Sequence, residues 1–346
     1  QTLELLAFSE EISNQPTITE FTKVDLTGGQ EIEGAKMQIL DQEEKVVEEW
    51  VSKKEAHVVY ALAPGEYILH EEQAPTEQGY VRAEDVKFVV EETGDVQKVK
   101  MEDDHTKVSI SKTDITDGKE IEGAKLQILD QDGEVVESWT TGEEHLIEYL
   151  PVGTYTLHEE AAVDGYIVAN DVEFTVEETG EIQKVKMEDE RAMGQLVIVK
   201  TDTDSKAALE GVEFVLLEKE TGKEVGRLKT GKDGKAVSEL LPIGTYENGV
   251  FKEPITYVLK ETATLKGYEK TEEEWEIVFT YQNDKTPVIE VVKEIQNKKI
   301  PETPGTVKPG PKTGDDTNWF LPLLALGVSA GMVAGLLYYR KRHKKA

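Results

Sequence analysis

Three lysines sit where an amine could do chemistry. In "KVSISKTD" (107–114), Val108, Ile110 and Lys112 share one face, because successive side chains of a strand point to opposite sides. That is the face that should enter a core, where lysine is rare unless paired. Lys23 in "FTKVD" and Lys200 in "IVKTD" repeat the situation. The same parity turns acids inward on two other strands of each copy. Tyr67, Leu69 and Glu71 share a face, as do Tyr155, Leu157 and Glu159, and Tyr257, Leu259 and Glu261. Val99, Met101 and Asp103 form another such set, as do Val185, Met187 and Asp189. The third copy offers Val291, Ile295 and Asn297, interrupted by Lys293. Adjacent Glu72 and Glu160 fall on the outward side.

A buried ion-pair triad is the bland reading, but desolvating each charge costs several kcal/mol and apolar replacements often do as well. A chemical reading explains more. Burial lowers a lysine pKa and raises a carboxyl pKa, so the amine becomes neutral and nucleophilic while the acids hold protons. Such an amine can attack the side-chain carbonyl of an Asp or Asn, with the neighbouring Glu moving the protons. An amide between side chains results, made once, with water or ammonia leaving. Holding the groups together in an apolar site supplies the effective concentration.

The elements that must position these groups come from an internal repeat. "KVDLTGGQEIEGAKMQILDQ" (23–42) returns as "KTDITDGKEIEGAKLQILDQ" (112–131), and "GEYILHEE" (65–72) as "GTYTLHEE" (153–160). "VEETGDVQKVKMED" (90–103) returns as "VEETGEIQKVKMED" (176–189). A more distant copy runs from "VKTDTDSKAALEGVEFVLLEKETGK" (199–223) through "YVLKE" (257–261) to "EIQNK" (294–298), with "YENGVFKEPI" (246–255) inserted. Short alternating runs broken by turn signals such as Asp132-Gly133 and Asp233-Gly234 predict an all-β chain of tandem small β-sandwiches. The expected domains are 16–104, 105–190 and 191–299. Residues 1–15 read as the last strand of a truncated upstream copy, with Asn14 as its acceptor. Asn14 precedes Lys23 by nine residues, as Asp103 precedes Lys112. Gln1 in place of Met fits an expectation of further domains and a signal peptide upstream.

Composition narrows the function classes. The 346 residues include 70 acidic and 39 basic ones, a formal charge of −31 that argues against nucleic acid as partner. Cysteine is absent, so neither disulfides nor thiolate metal sites hold the fold. His70 and His158 read as surface residues, and "TDTDSK" (201–206) and "DQDGE" (130–134) as turns. No metal or cofactor is expected, and no enzyme acting on outside substrates. After Asn297 a Pro/Gly/Thr-rich linker (300–317) precedes an apolar stretch (318–339) long enough to cross a bilayer as one helix, and then a basic tail (340–346).

Taken together, "FTKVD", "ISKTD" and "IVKTD", the following "EGA" or "EGV", then Tyr-x-Leu-x-Glu, then "VKMED" or "EIQN" resemble the collagen-adhesin B-type domains of Gram-positive surface proteins, also called SpaA-like or prealbumin-like. The resemblance spans roughly residues 16–299 and implies β-sandwiches with spontaneous isopeptide bonds. It would link Lys23 to Asp103, Lys112 to Asp189 and Lys200 to Asn297, with Glu71, Glu159 and Glu261 as assisting acids. Residues 310–314 (Gly310, Pro311, Lys312, Thr313, Gly314) resemble a sortase sorting motif, with Gly310 in place of the usual Leu. The implied partners are sortase and peptidoglycan and, through upstream domains, host extracellular matrix or host cells. The implied location is the cell wall, reached from a membrane-inserted precursor with its C-terminus in the cytoplasm. This describes the stalk of a surface adhesin or pilin-like protein. A minor or basal pilus subunit and a module that binds a host ligand are the alternatives. The absence of a Tyr-Pro-Lys motif counts against a backbone subunit.

Overall fold

The computed structural model describes residues 15–301, and these are all-β apart from one 3-10 turn at Thr76–Gln78. Asn14, the sorting motif at 310–314, the apolar stretch at 318–339 and the basic tail lie outside the described residues. Among the described residues no helix is long and apolar enough to cross a membrane.

Each copy folds as two sheets closed over its own apolar core. In the first, His57–Tyr60, Ile18–Asp25 and Val96–Asp103 form one sheet, and Val46–Val51, Lys36–Leu40, Gly65–Gln73 and Val86–Val90 the other. Phe21, Met37, Ile39, Leu69 and Met101 fill the space between. The second copy repeats this arrangement around Val108, Ile110, Leu126, Leu157 and Met187. The third does so around Leu196, Ile198, Phe214, Leu259 and Phe279. Alternate residues along these strands are buried, as a sheet with one wet face requires.

One strand pairing sets the geometry of every copy. First and last strands lie side by side and parallel: Ile18–Asp25 with Val96–Asp103, Lys107–Asp114 with Ile182–Arg191, and Met193–Asp202 with Val288–Asn297. The register is the same each time. Lys23 pairs with Met101, Lys112 with Met187 and Lys200 with Ile295, each two residues before the acid or amide. Since residues two apart share a face, lysine and acceptor lie diagonally on the core side.

The insertion of the third copy is a hairpin, Gly244–Glu247 paired with Val250–Pro254. Its turn, Asn248-Gly249, has φ of +50° and +69°, the positive pair that a two-residue type I′ turn needs. The hairpin reaches the second copy, where the Tyr246 hydroxyl donates to Gly165 O and the Arg191 guanidinium lies 4.2 Å over the Tyr246 ring. At the preceding joint Tyr149 stacks on His105, with ring centroids 3.9 Å apart, and its hydroxyl donates to Asp25.

Candidate functional site

Each sandwich buries one lysine, one glutamate and one Asp or Asn against one another. In the first, Lys23 Nζ lies 2.8 Å from Glu71 Oε2 and donates to Asp103 Oδ1. In the second, Lys112 Nζ is 2.9 Å from Glu159 Oε2 and donates to Asp189 Oδ1. In the third, Lys200 Nζ is 3.1 Å from Glu261 Oε2 and donates to Asn297 Oδ1 at 2.5 Å. All nine side chains are buried. The lysines come from first strands, the glutamates from the Tyr-x-Leu-x-Glu strands, and the acceptors from last strands. Glu72 and Glu160 are exposed.

Local contacts hold the glutamates still. Glu71 Oε2 accepts the Ala83 backbone N–H at 2.7 Å, and Glu159 Oε2 that of Ala169 at 2.6 Å. This leaves Glu71 Oε1 and Asp103 Oδ2 as buried oxygens with no donor, and likewise Glu159 Oε1 and Asp189 Oδ2. Two ionised carboxylates so placed would repel. A proton on the aspartate carboxyl relieves that repulsion. Burial pushes the carboxyls of Asp103 and Asp189 up to about 7; the lysine ammonium opposes the shift and the neighbouring glutamate adds to it. The third sandwich needs no such proton, because its acceptor is an amide. Asn297 Nδ2 donates to Glu261 Oε1 at 2.7 Å and to Thr264 Oγ1 at 2.7 Å. Burial holds the Lys200 ammonium below its usual value, with Glu261 opposing.

A second buried carboxylate, which the parity reading passes over, stands two residues after each lysine: Asp25, Asp114 and Asp202. Asp25 accepts from the Thr27 and Gly28 backbone N–H groups and from the Tyr149 hydroxyl. Asp114 accepts from the Tyr166 hydroxyl at 2.7 Å and from Arg191 Nε at 2.5 Å. Burial alone would raise both, but these donors hold the two carboxyls below the usual range. One inward aspartate is thus kept ionised by donors, and its neighbour across the pair is not. The signal was in the sequence: Lys-x-Asp occurs in all three copies, and the aspartate shares the lysine's parity. Lys293, the interruption in the third last strand, is half-buried with Nζ 5.9 Å over the Trp275 ring. His70 and His158 each pair with an exposed aspartate, Asp85 and Asp171, at 2.7 Å. In "TDTDSK", Asp202 Oδ1 caps the turn by accepting from the Asp204 and Ser205 N–H groups.

The family model for the SpaA prealbumin-like fold domain matches residues 17–105, 106–191 and 194–254. The chain belongs to this family. Among solved structures, these SpaA-type domains are similar to the TIE protein of Bacillus anthracis, at 28% identity and a TM-score of 0.55. That match covers 82% of this chain and 51% of the other, so the chain spans about half the TIE protein's length. The major pilin subunit of Bacillus cereus also matches, at 15% identity and a TM-score of 0.46, over 82% of this chain and 100% of that one. No curated protein matches the chain.

Proposed function

We propose that the chain is the tension-carrying stalk of a Gram-positive cell-surface protein, whose SpaA-type domains each close an isopeptide bond between first and last strand. The observation that carries this reading is the buried Lys–Glu–Asp/Asn contact, repeated three times in one register. In each domain the glutamate relays one proton from the lysine amine to the leaving group. The neutral amine attacks the acceptor Cγ, the new N–Cγ bond forms, and the old bond from Cγ breaks. Asp103 and Asp189 lose hydroxyl as water; Asn297 loses its amide nitrogen as ammonia. The reaction is self-directed and happens once, so the protein is no enzyme in the ordinary sense.

The mechanical consequence comes from the topology. Tension enters a domain at its first strand and leaves at its last, and the bond joins these two directly. Borrowing the disulfide loop relation for closures of 80, 77 and 97 residues, each bond adds about 4–5 kcal/mol of stability. Tryptic digestion of the folded, then denatured chain tests the reading. It should yield branched peptides joining the Lys112 segment to the Asp189 segment, and linear peptides alone would refute it.

Attachment to peptidoglycan by a sortase, with cleavage between Thr313 and Gly314, completes the proposal and is supported by the motif, apolar stretch and basic tail. Thr313→Ala should leave the protein detergent-extractable and free of wall fragments. Complete detergent extraction of the wild type would refute the wall linkage.

A further inference from the structure

Acid and amide acceptors make different demands on the pocket around them. A protonated carboxyl has one O–H to donate, and an amide nitrogen has two N–H groups. Where the acceptor is acidic, Glu71 or Glu159 takes the single proton. The residue three places beyond that glutamate is Ala74 or Ala162, a methyl group that accepts nothing. Where the acceptor is Asn297, Glu261 takes one N–H and the residue three places beyond is Thr264, whose hydroxyl takes the other at 2.7 Å. A second acceptor for amide hydrogens is therefore present at the site whose partner is an amide, and a methyl group stands at that sequence position in the two acidic sites.

We propose that Thr264 is the specificity-determining residue of the third site, matching it to an amide acceptor and holding that amide in the reactive orientation. This rests on the isopeptide reading of the third domain. With both N–H groups engaged, the amide nitrogen is fixed beside Glu261, the source of its proton, and the carbonyl oxygen beside Lys200 Nζ. A flip of the amide would bring two acceptors against its oxygen and two donors against each other. The hydroxyl also discriminates against an acid. Donating to a carboxyl at position 297, it would favour the charged form, which an amine does not attack.

The test tracks bond formation in the full chain, sampled at intervals after synthesis, quenched in acid and mapped by peptide mass. Thr264→Val keeps the shape and removes the hydroxyl. It should slow joining of Lys200 to Asn297 about tenfold, the effect of leaving one buried donor unpaired, while the other two bonds form at their usual rate. Thr264→Ser should restore the rate. Joining in Thr264→Val as fast as in wild type would overturn the proposal, as would Thr264→Ser as slow as Thr264→Val, which would make the effect one of packing. In a second arm, Asn297→Asp should join faster when Thr264→Ala is added than without it, and equal rates would count against discrimination. If wild type never joins Lys200 to Asn297, the isopeptide reading of this domain fails with it, a result distinct from every variant outcome.

Discussion

The first two sandwiches and the third set the same buried lysine and glutamate against different partners, an aspartate in two and an asparagine in one. All three press a lysine against an acceptor in a dry core, in the same register of parallel strands. The first two use a carboxylic acid, and so need a proton where two carboxyl oxygens meet. The third uses an amide, which brings its own hydrogens and needs a second acceptor to receive them. On the reading proposed above, the scaffold fixes distance and the donors and acceptors around the site select the side chain that fills it.

The hardest blow to this comparison is removal of a lysine. Lys112→Ala should abolish the second bond and leave Glu159 and Asp189 buried without their cation. Its domain should lose at least about 4 kcal/mol, read as a fall in its unfolding midpoint and new sensitivity to trypsin, while the first and third domains keep their bonds. An unchanged midpoint would mean that no bond formed there in the wild type.

Next in size is the relay. Glu159→Gln keeps the shape of the site but cannot carry a proton, and should slow the second bond by about a hundredfold or more. Glu261→Gln should do the same in the third domain. Slowing in one domain only would show that the two chemistries do not share a relay.

The pH dependence separates the domains more finely. An acid acceptor must be protonated to react, so the first two bonds should form more slowly as pH rises through about 7, where Asp103 and Asp189 ionise. The stability of the unbonded precursors has the same sign. Their raised carboxyl pKa values contribute stability that is fully present below the unfolded value of about 4 and is lost as pH rises through about 7. The third bond should lack this decline and slow instead at low pH, as the Lys200 amine takes up its proton. Rates measured after cell-free synthesis at pH 6 and pH 8.5 (about one unit or more either side of the Asp values) would reveal identical profiles if the distinction is wrong.

The smallest effect is the swap. Asp189→Asn should still bond, now releasing ammonia, and should lose the decline above pH 7. It should react somewhat more slowly than the third domain, because Ala162 offers its second N–H no acceptor. A retained decline would place the titrating group elsewhere.

Much of this was legible because strands have a period of two. Alternation placed Lys112 beside Ile110 and Glu159 beside Leu157 without any structure, and it rejected Glu160. The same rule applies to Asp114, which ends a strand and shares the lysine's face, although the turn that follows it obscures the strand's end in the sequence. Thr264 was beyond its reach. It comes just after the Thr256–Ala263 strand, where parity stops and the path of the loop decides what the hydroxyl touches. The docking of Tyr246 on the second sandwich was also hidden, since a hairpin's turn can be read from Asn-Gly but its destination cannot.

Intact mass tests the central claim most directly, because a side-chain amide changes mass without changing sequence. Residues 16–299, expressed without partner or cofactor, should weigh about 53 Da less than their formula: about 18 Da for each of two waters and about 17 Da for one ammonia. Lys112→Ala should recover about 18 Da beyond the substitution itself. A wild-type mass equal to the formula would leave three buried ion-pair clusters and no covalent stalk.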